Sequence, residues 1–266
     1  MLMPFFQRLF GRHAGGREEV HPNTARVAEA LLAATRVAWT PEVGQREGGI
    51  AASRFGGRPA LRRGELHAPL CGVCSRPMPL WLQLDLESLP GDAKAMLPEA
   101  LGRGLFQLFY CTREDCECAD CGAFPANTVV RLDAINGSEV LRDADPADHP
   151  AQLIRGWKVR AEIPGDGEYP VEAAEGITEE DIGEFYNRPG SLSTMLPADK
   201  DKLLGWPDWV QGVWYPDCPD CSKPMAYLFQ IASNDHVDFM FGDSGVGHVF
   251  FCAEHLKRAT FVWECC

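Results

Sequence analysis

The stretch Cys218-Pro-Asp-Cys221-Ser-Lys-Pro-Met225-Ala-Tyr-Leu-Phe-Gln230 decides how this chain is read, because it occurs twice. Its counterpart is Cys71-Gly-Val-Cys74-Ser-Arg-Pro-Met78-Pro-Leu-Trp-Leu-Gln83. Each copy has a proline before the first cysteine (Pro69, Pro216), the same Cys-x-x-Cys, a basic residue followed by Pro-Met, and a glutamine further on. Upstream, Gly57-Arg-Pro59-Ala-Leu61 answers Gly205-Trp-Pro207-Asp-Trp209. Downstream, each copy meets an apolar run closed by a cysteine, Leu105 to Cys111 and His248 to Cys252. So many matched residue types predict an internal duplication, two diverged copies of one β-rich unit carrying a zinc knuckle.

Working outward, the expected fold class is α+β, predominantly antiparallel β, with an N-terminal helix. The predicted organisation is a tail and helix over 1–36, a first unit with its zinc site over 37–135, an acidic connecting segment over 136–204 and a second unit over 205–266. Residues 37–266 are expected to form one compact domain. Thr24 is predicted to cap a helix with Val27, Leu31, Ala34 and Ala38 on one face, ending near Thr40-Pro41. Strands are predicted over 79–86, 105–110 and 128–132, with a short helix over 93–101 and a closing strand from Phe261. Nine acids and no lysine or arginine occur between Glu162 and Glu184. Within that run, Thr178-Glu-Glu-Asp181 has the pattern of a capped helix start.

Zn²⁺ takes four nitrogen or sulfur ligands in a tetrahedron, and Cys-x-x-Cys lets one tight turn supply two of them. In the second unit Cys218 and Cys221 are completed by Cys252 and His255, with Cys265 or Cys266 as substitutes should His255 be a surface residue. In the first, Cys71, Cys74 and Cys111 are expected to take Cys116, with Cys118 and Cys121 as alternatives. Two structural Zn²⁺ ions follow, since four protein ligands leave no corner for a reacting water.

The remaining composition narrows the function. The chain has 266 residues, eleven cysteines and a formal charge of −13. That charge disfavours general nucleic-acid binding, and the apolar runs fall short of the roughly 20 residues a membrane span needs. The apolar, basic start reads as a frayed terminus rather than an export signal. Thiols clustered at knuckle spacing then point to a reducing cytoplasm.

Gly242-Asp-Ser-Gly245 matches the surroundings of the nucleophile in trypsin-like proteases, but without a matching histidine context or oxidised scaffold it reads as a glycine-bracketed hairpin turn. Gln83 and Gln230, at equivalent strand positions, are expected to be core residues bonding backbone. No catalytic residue is assigned.

With Ser53-Arg-Phe-Gly-Gly57-Arg-Pro59, the knuckle, and Gly242-Asp-Ser-Gly245 before Phe250-Phe-Cys252, the chain resembles the bacterial YwqG-like family over residues 37 to 264. The first unit is also similar to the N-terminal part of eukaryotic programmed cell death protein 2, a zinc-binding dedicated chaperone for a ribosomal protein. The resemblance implies a duplicated β-rich fold and zinc where the cysteines are kept, and it carries over no catalytic residues. The expected function is a cytosolic, zinc-stabilised, protein-binding module of chaperone, adaptor or immunity type. The alternative is a small-ligand-binding protein or enzyme using a pocket lined by Trp206, Trp209 and Trp214.

Overall fold

The structure is a computed structural model that describes residues 22–44, 48–62, 64–99, 104–117, 122–134, 142–143, 149–168 and 175–266. Cys118 and Cys121 lie outside the described residues. Ten strands form one antiparallel sheet: β1 (Arg36–Gly44), β2 (Arg54–Phe55), β4 (Leu80–Asp85), β5 (Gly104–Tyr110), β6 (Thr128–Ala134), β8 (Gln152–Glu162), β9 (Lys202–Leu204), β10 (Ala226–Ala232), β11 (Val246–Phe251) and β12 (Ala259–Glu264). The order is β12-β11-β10-β9-β1-β8-β2-β4-β5-β6, so β1 and β8 form the centre and each begins a five-strand run outward. The outermost strands β6 and β12 approach one another, and the Phe124 N–H donates to Thr260 Oγ1 at 2.8 Å, bringing the sheet close to a barrel. A separate ladder pairs β3 (Ala60–Leu61) with β7 (Arg142–Asp143).

Curling the sheet puts both halves into one core. Trp81, Phe106 and Phe55 of the first half share an apolar cluster with Phe229, Phe241 and Phe261 of the second, all six buried. Burying one such side chain stabilises by about 1.5–3 kcal/mol, which makes this shared interior the main cohesion between the halves. Where chain must pass close to the central strands, only glycine fits. A Cβ on Gly57, at φ 73°, would stand 2.6 Å from the Ala151 Cβ, and one on Gly205, at φ 79°, 2.6 Å from the Ala38 Cβ.

A smaller layer joins α1 (Pro22–Ala33) to α3 (Glu179–Asn187). Val27 and Leu31 meet Ile163, Ile177 and Phe185 in their own cluster, and Asn23 Nδ2 donates to Asp181 Oδ2 at 3.1 Å. The predicted start of α3 is present as a reciprocal capping box. The Asp181 N–H donates to Thr178 Oγ1, and the Thr178 N–H to Asp181 Oδ2.

Four expectations need correction. The first helix ends at Ala33, and Arg36–Gly44 is a strand that includes Thr40 and Pro41. Pro41 lies beyond the pairing of β1 with β9, which covers only Ala38 and Trp39, so β1 has one ladder partner there and tolerates a residue without N–H. Thr24 does not cap: it lies inside α1 and its hydroxyl has no hydrogen-bond partner among the described residues. The helix expected over 93–101 is confined to α2 (Gly91–Ala95), which closes at Met96 ahead of Pro98. The acidic interval holds more than a connection, since β8, eleven residues long and at the centre of the sheet, falls within it. Among the described residues, no helix is long and apolar enough to cross a membrane.

Candidate metal centres

Each Cys-x-x-Cys sits in a turn whose backbone is fastened in the same way. The Cys71 N–H donates to the Arg76 carbonyl at 2.9 Å, Ser75 N–H to the Cys71 carbonyl at 2.8 Å and Met78 N–H to the Pro69 carbonyl at 2.9 Å. In the second turn Cys218 N–H donates to Lys223 at 2.9 Å, Ser222 N–H to Cys218 at 2.8 Å and Met225 N–H to Pro216 at 2.9 Å. Ser75 and Ser222 take the left-handed backbone conformation, at φ 56° and 55°, to close these loops. The third cysteines follow β5 and β11, where Cys111 N–H donates to the Asn127 carbonyl and Cys252 N–H to the Arg258 carbonyl. Local turn chemistry therefore places two sulfurs, and strand register brings in the third.

Two complete groups result. Cys71, Cys74, Cys111 and Cys116 present four sulfurs within 4.8 Å of one another, and Cys218, Cys221, Cys252 and His255 present three sulfurs and Nδ1 equally close. Cys71 and Cys116 are 3.9 Å apart, as are Cys74 and Cys111; Cys221 and Cys252 are 3.7 Å apart, and His255 Nδ1 is 3.7 Å from both Cys218 and Cys252. A tetrahedral ion with sulfur bonds of about 2.3 Å requires sulfur separations of about 3.8 Å. A disulfide requires about 2.05 Å, so none of these pairs is a cystine. Cys265 stands against Gly242 and Cys266 is exposed, and neither joins the second group.

The electrostatics favour a cation. The backbone N–H of Arg76 pulls the Cys74 thiol down to about 6. The Lys223 N–H likewise favours a thiolate at Cys221, but burial and the sulfurs of Cys218 and Cys252 outweigh it and push that thiol up to about 11. Bare thiolates this close repel, and a divalent ion removes the repulsion.

Charged clamps outside the sulfurs were not visible in the sequence. Arg76 grips Asp115 through two bonds, 2.8 and 2.6 Å, joining the first turn to the loop that carries Cys116. Around the second group Arg258 grips Asp220 at 2.6 and 2.9 Å, and Lys223 pairs with Glu254. Their partners are more than 30 residues away in sequence, and only the fold brings them together.

The other candidates resolve without chemistry. Gly242 and Ser244 have φ of 51° and 55°, and the Gly245 N–H donates to the Phe241 carbonyl at 2.7 Å, so Gly242-Asp-Ser-Gly245 forms a turn. Trp206 is buried with Nε1 donating to the Ala34 carbonyl, Trp209 stacks against Phe250, and Trp214 is 48% exposed, so the three do not share a pocket wall. A pocket of about 280 Å³ is lined instead by Arg36, Met96, Leu204, Gly205, Tyr215, Ala226, Tyr227 and Phe251.

A domain of unknown function, DUF1963, matches residues 53–265. The chain belongs to the DUF1963 family. All eight clustered cysteine and histidine residues of this DUF1963 chain fall inside the matched span, whereas α1 and β1 precede it. The chain is also 34% identical over 65 residues to the uncharacterized protein YpfL of Salmonella typhimurium strain LT2. That alignment covers 24% of this chain and 15% of YpfL.

Proposed function

We propose that this DUF1963 protein is a zinc-stabilised, non-catalytic module that binds another protein in a reducing cytoplasm. The observation that carries the proposal is the completeness of both four-ligand groups, Cys71/Cys74/Cys111/Cys116 and Cys218/Cys221/Cys252/His255. Closed sulfur-rich tetrahedra suit Zn²⁺ in a structural role, where the ion supplies folding free energy of roughly 10 kcal/mol or more and leaves no open position for a substrate. The matching turns support descent of the two halves from one duplicated unit. The resemblance to YwqG-like proteins and to programmed cell death protein 2 extends the reading toward chaperone or adaptor work. The test is a tagged full-length chain isolated from its native lysate, followed by reconstitution from purified components. A stoichiometric partner that rebinds supports the proposal; a monomer that turns over a small molecule sinks it.

The second reading, a small-ligand site, keeps one supporting feature. The hydroxyl of Tyr227, a residue on the wall of the 280 Å³ pocket, is buried and has no hydrogen-bond partner among the described residues. A small-molecule screen by thermal shift, repeated on Tyr227→Phe, separates the readings: a ligand that stabilises only the wild type favours the second.

A further inference from the structure

His236 sits where the two halves meet. Its ring stacks on Phe55 of β2, centroids 4.7 Å apart and planes 9° apart, and its carbonyl accepts from Gln152 Nε2 of β8 at 2.6 Å. Its Nδ1 lies 2.8 Å from Oδ2 of Asp201, immediately before β9. Asp201 is fully buried, and its Oδ1 accepts the Ala232 N–H at 2.7 Å. Asp235 brings a second carboxylate, 3.6 Å from the same Nδ1, and accepts the Asp201 N–H at 2.9 Å. Ligand atoms around an ion with bonds of about 2.1 Å would stand about 3.0–3.4 Å apart. At 2.8 Å, the Asp201–His236 gap holds a proton instead.

The first half makes the equivalent backbone contact without a charge. Ser53 precedes β2 as Asp201 precedes β9, and its Oγ accepts the Asp85 N–H at 2.9 Å. A hydroxyl suffices there, so the second carboxylate oxygen of Asp201, the one facing His236, does something further. His236 belongs to a loop, 233–241, that carries Phe239 and Phe241. Their rings lie 5.0 and 5.4 Å from that of Trp81 and 6.0 and 6.3 Å from that of Tyr110, both in the first half.

We propose that the Asp201–His236 pair is a proton-operated latch that holds the 233–241 loop and its two phenylalanines against the first half. With the imidazole protonated, the pair is a charge-assisted hydrogen bond. Once the proton leaves, a buried carboxylate remains beside Asp235 without a neighbouring cation on the loop. The groups facing His236 are Asp201 and Asp235, which favour the imidazolium, and Lys200, which opposes it; Phe55 and Gln152 are neutral. Burial pulls His236 down, but Asp201 and Asp235 outweigh it and raise the value above 6.5, while burial raises the Asp201 carboxyl to about 6. Both groups therefore bind their protons more tightly in the folded state. Relative to the unfolded chain, the protonated Asp201 carboxyl contributes stability that is lost as pH rises to about 6, where it ionises, and the charge-assisted pair then persists until it is lost as pH rises through the raised value of His236.

The test is hydrogen exchange across residues 233–241 of the full-length protein, in wild type and His236→Gln at matched pH, where the ratio of the two cancels the intrinsic chemistry. Near pH 6 the wild-type loop should be about tenfold better protected, and the difference should vanish toward pH 9. The Gly56 amide, bonded to the Trp81 carbonyl, serves as a control and should not differ. Asp235→Asn, which removes one carboxylate and leaves the pair intact, should move the midpoint to lower pH. A wild-type to variant ratio that is flat with pH, an Asp235→Asn midpoint that stays in place, or a third metal ion lost on His236→Gln would each overturn the latch.

Discussion

Gln83 and Gln230 hold the same set of backbone partners in the two halves. Gln83 donates through Nε2 to the carbonyls of Ile50 and Ala52 and accepts the Ala60 N–H at Oε1; Gln230 donates to Ala198 and Lys200 and accepts the Asp208 N–H. Each amide thus ties the loop before β2 or β9, and the residue after its proline, to β4 or β10. Both side chains are fully buried, and the Ala60 N–H bonded to Gln83 and the Ala198 carbonyl bonded to Gln230 are buried with them. Gln107 adds a further bond to Gln83 Oε1 at 2.9 Å, where the second half has His248 opposite Gln230.

Replacing either glutamine by leucine leaves buried backbone groups unpaired, each costing about 1–3 kcal/mol. We expect Gln230→Leu to lose about 3 kcal/mol in chemical denaturation and Gln83→Leu at least as much, because Gln107 loses one of its two acceptors as well. A loss below about 0.5 kcal/mol, the scale of an ordinary surface substitution, would show that these bonds are replaceable.

Cys221→Ser should reduce bound zinc from two ions to one and lower the melting temperature, with hydrogen exchange rising around β10 and β11 while β4 and β5 stay protected. Wild-type metal content and melting temperature in this variant would remove Cys221 from the ligand set.

Cys116→Ser should empty the first centre, whereas Cys118→Ser and Cys121→Ser should retain two ions. Metal retention in the Cys116 variant, with loss in either of the other two, would transfer the fourth position to that residue.

Lys202 and Glu162 form a fully buried ion pair, Nζ 3.1 Å from both carboxylate oxygens, and Glu162 also accepts the N–H groups of Ala198 and Trp206. Lys202→Met strands a buried carboxylate and should destabilise by about 3–5 kcal/mol, with Glu162→Gln in the same chain restoring part of the loss. Urea denaturation of the single and double variants checks it. A harmless Lys202→Met would mean that water reaches Glu162.

The clustering of the cysteines into two candidate metal groups was legible because its signal is local: Cys-x-x-Cys with Pro-Met fixes a turn, and the β5 and β11 cysteines end apolar runs. The role of the two glutamines was legible for the same reason, since each holds a fixed offset from a knuckle. The central pair of strands was not. In β8 the apolar residues Leu153, Ile154 and Trp157 are interleaved with Arg155, Lys158 and Arg160, so a half-exposed strand reads as a polar connection. In β1, Pro41 imitates a helix stop where the ladder has lapsed on one side. The Arg–Asp clamps and the Asp201–His236 pair join residues more than 30 positions apart, and no local pattern announces them.

The most direct test is metal quantification by native mass spectrometry on full-length protein purified without added zinc, combined with a count of free thiols after denaturation in chelator. The account predicts two zinc ions per chain and all eleven cysteines reduced. Apo protein that is fully folded, or cystines within either group of four, would contradict it.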